Sequence, residues 1–422
     1  MSSTIFFAGI LIILGHAFKV LFDKTRIPDV LPLVLLGIIA GPLTGLVTPE
    51  NFGIMGNLLG TLALSIILFY SGLEIDIDTA TKSLFAGTKL SLFNFISATL
   101  LCAAAAYIAA PMTYMEALAI GAMLGGTSFA IVIPLVRSMK TQDGTKTILL
   151  LESTFTDVLC IVVTLGIFQM IRLREMNPGF MIGQILASFT MSSAIGIISA
   201  VFWATALHRV RKLENDMLLT PAFIITIFGL TEFLGYSGAI SSLAFGMTSG
   251  NLRRFISAPM LKKMVPQNIM EFNQMEISLF SELVFVLKTF FFFYIGISIK
   301  MSDPRMVVIG ALLTLLILLA RMAAVRFCFN GSVAATDKAV ISAMGPKGLV
   351  SAVLLSMAAA AGFSEIQLVS ELVYSTILFS IILAALLSYL IEKGKLNRII
   401  MRAFPAPEKM EEEHEQTGSR TV

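Results

Sequence analysis

Residues 148–171 read ILLLESTFTDVLCIVVTLGIFQMI, a run that is apolar except around Glu152-Ser-Thr-Phe-Thr-Asp157. A helix needs about 20 apolar residues to cross the hydrocarbon core of a bilayer, and this run supplies that length. Each carboxylate at such depth costs roughly 2.5–3.5 kcal/mol on insertion scales, so two of them mark a place for an ion or a proton.

Outward from that run, the 422 residues are 56% hydrophobic and 14% charged, with a mean hydropathy of +0.88. This composition excludes a water-soluble globular domain of the same size and defines a polytopic membrane protein whose first partner is the lipid bilayer. The formal net charge is only +3, and the basic residues fall between apolar runs. No nucleic-acid partner is expected. Cys102, Cys160 and Cys328 lie in apolar runs without metal-ligand spacing and read as buried packing residues. The first apolar run, Thr4 to Phe22, has no basic leader and no small-residue cleavage site, so it is expected to be retained as a helix. The polar, acidic stretch from Glu408 to Val422 is expected to be disordered.

Applied along the chain, the spanning length predicts an all-α protein of about thirteen transmembrane helices. They fall near 4–22, 29–48, 55–74, 86–110, 114–138, 147–171, 179–207, 217–234, 237–250, 277–299, 305–328, 336–361 and 367–391. Lys24, Arg26, Lys82, Arg137, Lys140, Lys146, Arg209, Arg211, Lys212, Arg253, Arg254, Lys262, Lys263 and the basic residues from Lys393 to Arg402 fall in one set of loops. The other set holds little beyond Arg172, Arg174 and Arg305. The bias puts the C-terminus in the cytoplasm and the N-terminus outside.

Two strings recur. Phe69-Tyr-Ser-Gly-Leu-Glu-Ile-Asp76 is similar to Phe293-Tyr-Ile-Gly-Ile-Ser-Ile-Lys300, and Ala40-Gly-Pro-Leu-Thr-Gly45 to Phe245-Gly-Met-Thr-Ser-Gly250. Both pairs are seven spans apart, and an odd offset reverses orientation. The expectation is two inverted six-helix repeats: 1–172 (spans 1–6) and 214–392 (spans 8–13), joined by a linker helix within 173–213 and followed by a cytoplasmic polar tail at 393–422. In inverted-repeat transporters the site lies where matching helices are interrupted near the midplane. Gly125-Gly126-Thr127-Ser128 in the fifth span and Gly345-Pro-Lys347-Gly348 in the twelfth are such interruptions, and they are predicted to cross. Backbone freed there would line a cavity and bind a cation.

Asp157 lies near the centre of the sixth span with Ser153 one turn before it, so both could bind one small monovalent cation. Thr156 and Glu152 form a neighbouring pair four apart; hydroxyls such as Ser153 and Thr156 also commonly bond back to their own helix. Arg321 sits inside the eleventh span, cannot lose its proton, and needs an anion. Glu152 is its expected partner, which leaves Asp157 as the carboxylate free to change charge. Lys347 is expected to hold partial charges at the crossing or to titrate there. Lys288 and Glu282 are deep, with mutual pairing or snorkelling as their readings, and Glu74, Asp76 and Asp78 read as solvated caps or the mouth of an ion funnel.

Together these residues resemble the monovalent cation:proton antiporter superfamily over about residues 4–392. Arg26-Ile-Pro28 leading into Leu36-Gly-Ile-Ile-Ala-Gly-Pro42, then Gly72-Leu-Glu74, is similar to the start of many members. Glu152-Ser153 with Thr156-Asp157 resembles the pattern of the electroneutral branch, Ala320-Arg321 its arginine-bearing helix, and Gly345-Pro-Lys-Gly348 its second interrupted helix. The resemblance implies that Asp157 is the transport carboxylate and Glu152–Arg321 its supporting ion pair. It also implies a homodimer in the inner or plasma membrane that serves pH homeostasis. Three departures bear on the ion: Thr156 replaces an asparagine or second aspartate, Ser128 follows Thr127 where sodium exchangers often carry an aspartate, and Ser71 stands where some members have glutamate. A potassium/proton exchanger is therefore an alternative to sodium or lithium exchange.

The resulting expectation is electroneutral antiport by alternating access. Asp157 would bind the cation with Ser153, Thr156 and oxygens of Thr127 and Ser128, in competition with a proton. No cofactor and no attached regulatory domain are expected. A sodium-coupled organic anion symporter of similar fold is the other transport reading, with Lys347 holding a carboxylate. No intramembrane enzyme is expected: His16, His208 and His414 form no HExxH site, and no Gly-x-Gly-Asp protease motif accompanies a second aspartate.

Overall fold

The structure, a computed structural model, describes residues 2–25, 28–49, 54–75, 77–139, 141–173, 178–211, 216–257, 271–300, 302–329, 333–396 and 400. Arg26, Asp76, Lys140, Arg174, Lys212, Lys262, Lys263, Arg402, His414 and the expected acidic tail lie outside the described residues, as do the side chains of Lys24, Asp78, Lys82, His208 and Arg209.

Among the described residues every regular element is helical. In chain order they are α1 (Ser2–Thr25), α2 (Val30–Ile38, continued by a π-helical turn at Ile39–Leu43), α3 (Ile54–Leu73), α4 (Ile77–Ala109), α5 (Tyr114–Gly125), α6 (Phe129–Ser138), α7 (Asp143–Leu173) and α8 (Pro178–Val210). After a 3-10 turn at Asp216–Leu218 follow α9 (Leu219–Phe233), α10 (Gly238–Gly250), α11 (Leu252–Ser257), α12 (Gln274–Ser298), α13 (Pro304–Cys328), α14 (Ala335–Ala343), α15 (Leu349–Ala361) and α16 (Ile366–Glu392). Seven described segments are long and apolar enough to cross a membrane, and five shorter apolar helices accompany them. Exposed side chains such as Phe6, Ile13, Leu186, Ile198, Leu312 and Leu319 give the outer helices the apolar surface that lipid requires.

Local chemistry sets the helix ends. Thr113 and Glu116 form a reciprocal capping box at the start of α5, and Asn273 and Glu276 do the same for α12. Asp303 caps α13 ahead of Pro304, which occupies the first turn where a missing N–H costs nothing. The fifth and twelfth predicted spans are each broken in two. The first chain segment is extended at Gly126 and Ser128 before α6 begins, and the second leaves helical geometry after Ala343 until Leu349, with Pro346 inside the gap.

The helices pack in two groups. In one, α4 lies against α5, α7 and α13, and α13 against α16. In the other, α2 and α3 lie against α12, and α10 against α3 and α8. α7 and α15 stand at the border, each touching the opposite group.

Inside the second group Lys288 of α12 donates to Asp29, just before α2, at 2.7 Å, with both side chains 8% exposed. Lys288 is thus neither paired with Glu282 nor snorkelling, because a carboxylate 259 residues away in the chain packs directly onto it. Removing one partner of a buried pair leaves a stranded charge, at about 3–5 kcal/mol. Lys288→Met is expected to lower the melting temperature in detergent clearly, and adding Asp29→Leu to restore most of it.

Candidate functional site

The two breaks meet. Ser128 N–H donates to the Pro346 carbonyl at 2.8 Å, joining one interrupted segment to the other. Lys347 Nζ donates to the Gly126 carbonyl at 2.7 Å, its own N–H donates to Ser380 Oγ at 2.9 Å, and Ser351 Oγ donates to the Met123 carbonyl at 2.7 Å. Small residues allow this approach. A Cβ on Gly126 would run into Cys160 Sγ of α7, and one on Gly348 into Ser128 Oγ. Gly125, the last residue of α5, is buried beside them.

Four helix ends converge here, each with a partial charge from unpaired peptide groups. Lys347 answers the negative end of α5. Arg321 answers that of α14, donating from Nε to the Ile341 carbonyl at 2.8 Å. The positive end of α6 faces Asp157, whose Oδ2 accepts from the Phe129 N–H at 3.4 Å.

Glu152 and Arg321 form the expected pair. Nη1 lies 2.9 Å from Oε1 and Nη2 3.0 Å from Oε2, a two-pronged fork between side chains 0% and 1% exposed. Oε1 also accepts from Asn94 Nδ2 at 2.9 Å and Thr127 Oγ1 at 3.0 Å. Glu152 is therefore saturated, whereas Asp157 accepts one long amide contact among the described residues. Thr127 is held further by Asn94 and Arg321, both at 3.3 Å.

Of the remaining predicted ligands, Thr156 Oγ1 accepts from the Thr127 N–H at 3.0 Å and donates to the Ser153 carbonyl at 3.2 Å, while Ser153 Oγ donates to the Leu150 carbonyl at 3.1 Å. Both hydroxyls bond to backbone and keep oxygen lone pairs. Asp157, Ser153, Thr156, Thr127 and Ser128 are all buried in one place, with Asp157 at 5% and Ser128 at 4%. Three neutral members went unread in the sequence: Asn94 of α4, Ser351 of α15 and Ser380 of α16. A carboxamide or hydroxyl in an apolar run carries a smaller penalty than a charge, so it signals little by itself.

On one side of Asp157 lies a cavity of about 820 Å³, lined along α7 from Ile161 to Arg172 and on the facing helices by Ser65, Gln184 and Glu232 among mostly apolar residues. Ile161 is one helical turn from Asp157. The cavity thus leads toward the carboxylate from the C-terminal end of α7.

Residues 9–389 match the family described as "Sodium/hydrogen exchanger, transmembrane". Among similar proteins are a sodium/hydrogen exchanger 8 of Arabidopsis thaliana, 24% identical over 58% of this chain and 34% of that one, and a K(+)/H(+) antiporter NhaP2 of Shewanella baltica, 22% identical over 91% and 65%. The chain therefore spans about a third of the first and just under two thirds of the second. A probable Na(+)/H(+) antiporter 2 of Methanocaldococcus jannaschii is 25% identical over 84% of this chain and 83% of its own length. The solved structure of the sodium proton antiporter MjNhaP1 from the same organism superposes with a TM-score of 0.71 over 95% of this chain and 99% of that one, at 20% identity, so the fold is shared. With its match running across both broken helices and the charges they enclose, the chain belongs to the transmembrane sodium/hydrogen exchanger family, which consists of secondary transporters and not enzymes.

Proposed function

We propose that this protein exchanges one monovalent cation for one proton across a cell membrane, with Asp157 taking the two in competition. The observation that carries this reading is the unequal treatment of two buried carboxylates five residues apart. Glu152 has every demand met by Arg321, Asn94 and Thr127, while Asp157 has one 3.4 Å contact and faces a helix terminus. A saturated carboxylate has no use for a cation; an under-satisfied one needs a positive charge, which either a proton or an alkali ion supplies. Hydroxyl oxygens of Ser153, Thr156, Thr127 and Ser128 complete the shell around a cation at Asp157.

Either ligand brings one positive charge to the same carboxylate, so the loaded site has the same charge in both directions. The exchange is electroneutral. Lys347 is occupied by the Gly126 carbonyl, which supports cation exchange over capture of an organic anion. The relatives carry both sodium and potassium names, and the hydroxyl-rich shell with one carboxylate suits sodium, lithium or potassium.

The grouping of helices supports alternating access in which α4–α7 and α13–α16 move against α1–α3, α9, α10 and α12. It also supports the reading of two inverted halves, 1–172 and 214–392, as thirteen spans with α8 as the linker. The loop charges support an N-terminus outside and a C-terminus in the cytoplasm, and on that reading the cavity beside Ile161 opens outward. By family resemblance the second group also forms the surface between two copies of the chain.

In proteoliposomes carrying a pH-sensitive dye, adding sodium, lithium or potassium is expected to release trapped protons, and Asp157→Asn to abolish the response without loss of folded protein. An imposed membrane potential alone is expected to drive nothing; exchange driven by potential would overturn the stoichiometry, and exchange by Asp157→Asn the site. Arg321→Ala strands Glu152 and is expected to cost about 3–5 kcal/mol of stability, seen as lost monodisperse protein. A stable Arg321→Ala protein lacking only cation binding would reverse the roles given to Glu152 and Asp157.

A further inference from the structure

Glu74, at the end of α3, is not the solvated cap that its position in the sequence suggests. Its side chain is 13% exposed, Oε1 lies 2.7 Å from Arg137 Nη2, and Oε2 is buried with no hydrogen-bond partner among the described residues. Arg137, in the last turn of α6, is 60% exposed. Tyr70, one turn earlier on α3, interacts with both.

One turn deeper, Ser71 Oγ and Thr154 Oγ1 are 3.3 Å apart, both fully or nearly fully buried. Thr154 is one turn from Asp157 on α7. At 1.5 Å per residue, Glu74 and Asp157 are about 9 Å apart along the helix axes, with oxygen atoms between them. The cavity approaches Asp157 from the opposite end. The stack of Arg137–Glu74 over Ser71–Thr154 therefore closes the second route, and each rung joins α3 to a helix of the other group.

We propose that Glu74 is an entrance site for the transported monovalent cation on this closed side, and that Arg137 is a tethered competitor that holds the site until the cation arrives. The proposal rests on the alternating-access reading above. When α6 draws away from α3, the 2.7 Å bridge is lost, and Glu74 keeps only the neutral Tyr70 hydroxyl beside a carboxylate that has one oxygen already buried and unpartnered. Such a charge is costly unless a cation replaces the guanidinium. Opening is thereby tied to cation arrival, and the hydroxyls of Ser71 and Thr154 offer the next oxygens inward.

The two partners must then act in opposite directions. In cation-driven exchange read from the Glu74 side, Arg137→Gln is expected to lower the apparent KM for the alkali cation about 2–5-fold, and Glu74→Gln to raise it. Glu74→Gln/Arg137→Gln should match Glu74→Gln alone, because the arginine acts only through the carboxylate. A bridge with a purely structural role would make both single variants err the same way. Arg137→Gln that leaves or raises KM, or Glu74→Gln that leaves it unchanged, overturns the proposal.

Direct binding of radiolabelled sodium or rubidium to purified Asp157→Asn, which lacks the deep carboxylate, separates this site from the exchange reading. Binding should persist there, strengthen with Arg137→Gln and vanish with Glu74→Gln. Loss of all binding in Asp157→Asn alone overturns the entrance site and leaves the exchange reading standing. Exchange by Asp157→Asn would do the reverse.

Discussion

The fork between Glu152 and Arg321 is the constraint on which the rest of the core depends. A guanidinium cannot shed its proton, and a carboxylate beside it in a dry interior cannot be left alone, so the two chain segments that carry them must meet. Their meeting ties α7 to α13 through the two side chains. Arg321 also reaches the end of α14 through the Ile341 carbonyl, and Glu152 reaches α4 and the first break through Asn94 and Thr127. One ion pair thus orients four helices and the first break around Asp157 without touching Asp157 itself. The carboxylate that does chemistry is free to change because its neighbour is not.

The crossing solves a second problem, that of ending helices inside a membrane. Broken helices expose peptide groups that lipid cannot satisfy. Here fixed positive side chains answer two carbonyl ends, a carbonyl of one break accepts from an amide of the other, and one amide end is turned toward the titratable group. The arrangement therefore concentrates its unmet demand at a single carboxylate, a physical description of a binding site as much as of a stable core.

Much of this was legible in the sequence, for reasons that differ by residue. Glu152, Asp157 and Arg321 stood out because charge within an apolar run must have a purpose, and their signs paired them. Clustered glycines in the first break, and two glycines with a proline in the second, marked the interruptions because these residues weaken a helix. Asn94, Ser351 and Ser380 gave no such signal, since neutral groups are tolerated in apolar helices and their partners, Glu152 and Thr127, the Met123 carbonyl and the Lys347 amide, lie far away in the chain. Asp29, at the very start of the second predicted span, drew no reading, and only tertiary packing shows that Lys288 reaches it. Glu74 was read as a solvated cap or the mouth of an ion funnel from its place at the end of a span. The helix that covers it begins more than fifty residues later, after a break whose angle the sequence does not specify.

The bonds that stitch the two breaks together, Ser128 to Pro346, Lys347 to Gly126 and Ser351 to Met123, have a consequence for energetics. A crossing tied at three points is carried as a block in the proposed cycle, so the oxygens around Asp157 keep their spacing whichever face they meet. The intrinsic affinity of such a site is the same from inside and from outside. Any preference of the exchanger for one direction must then arise along the routes and not at the site, and the two routes are built very differently: an open, largely apolar cavity on one side, and a short column of oxygens under a guanidinium on the other.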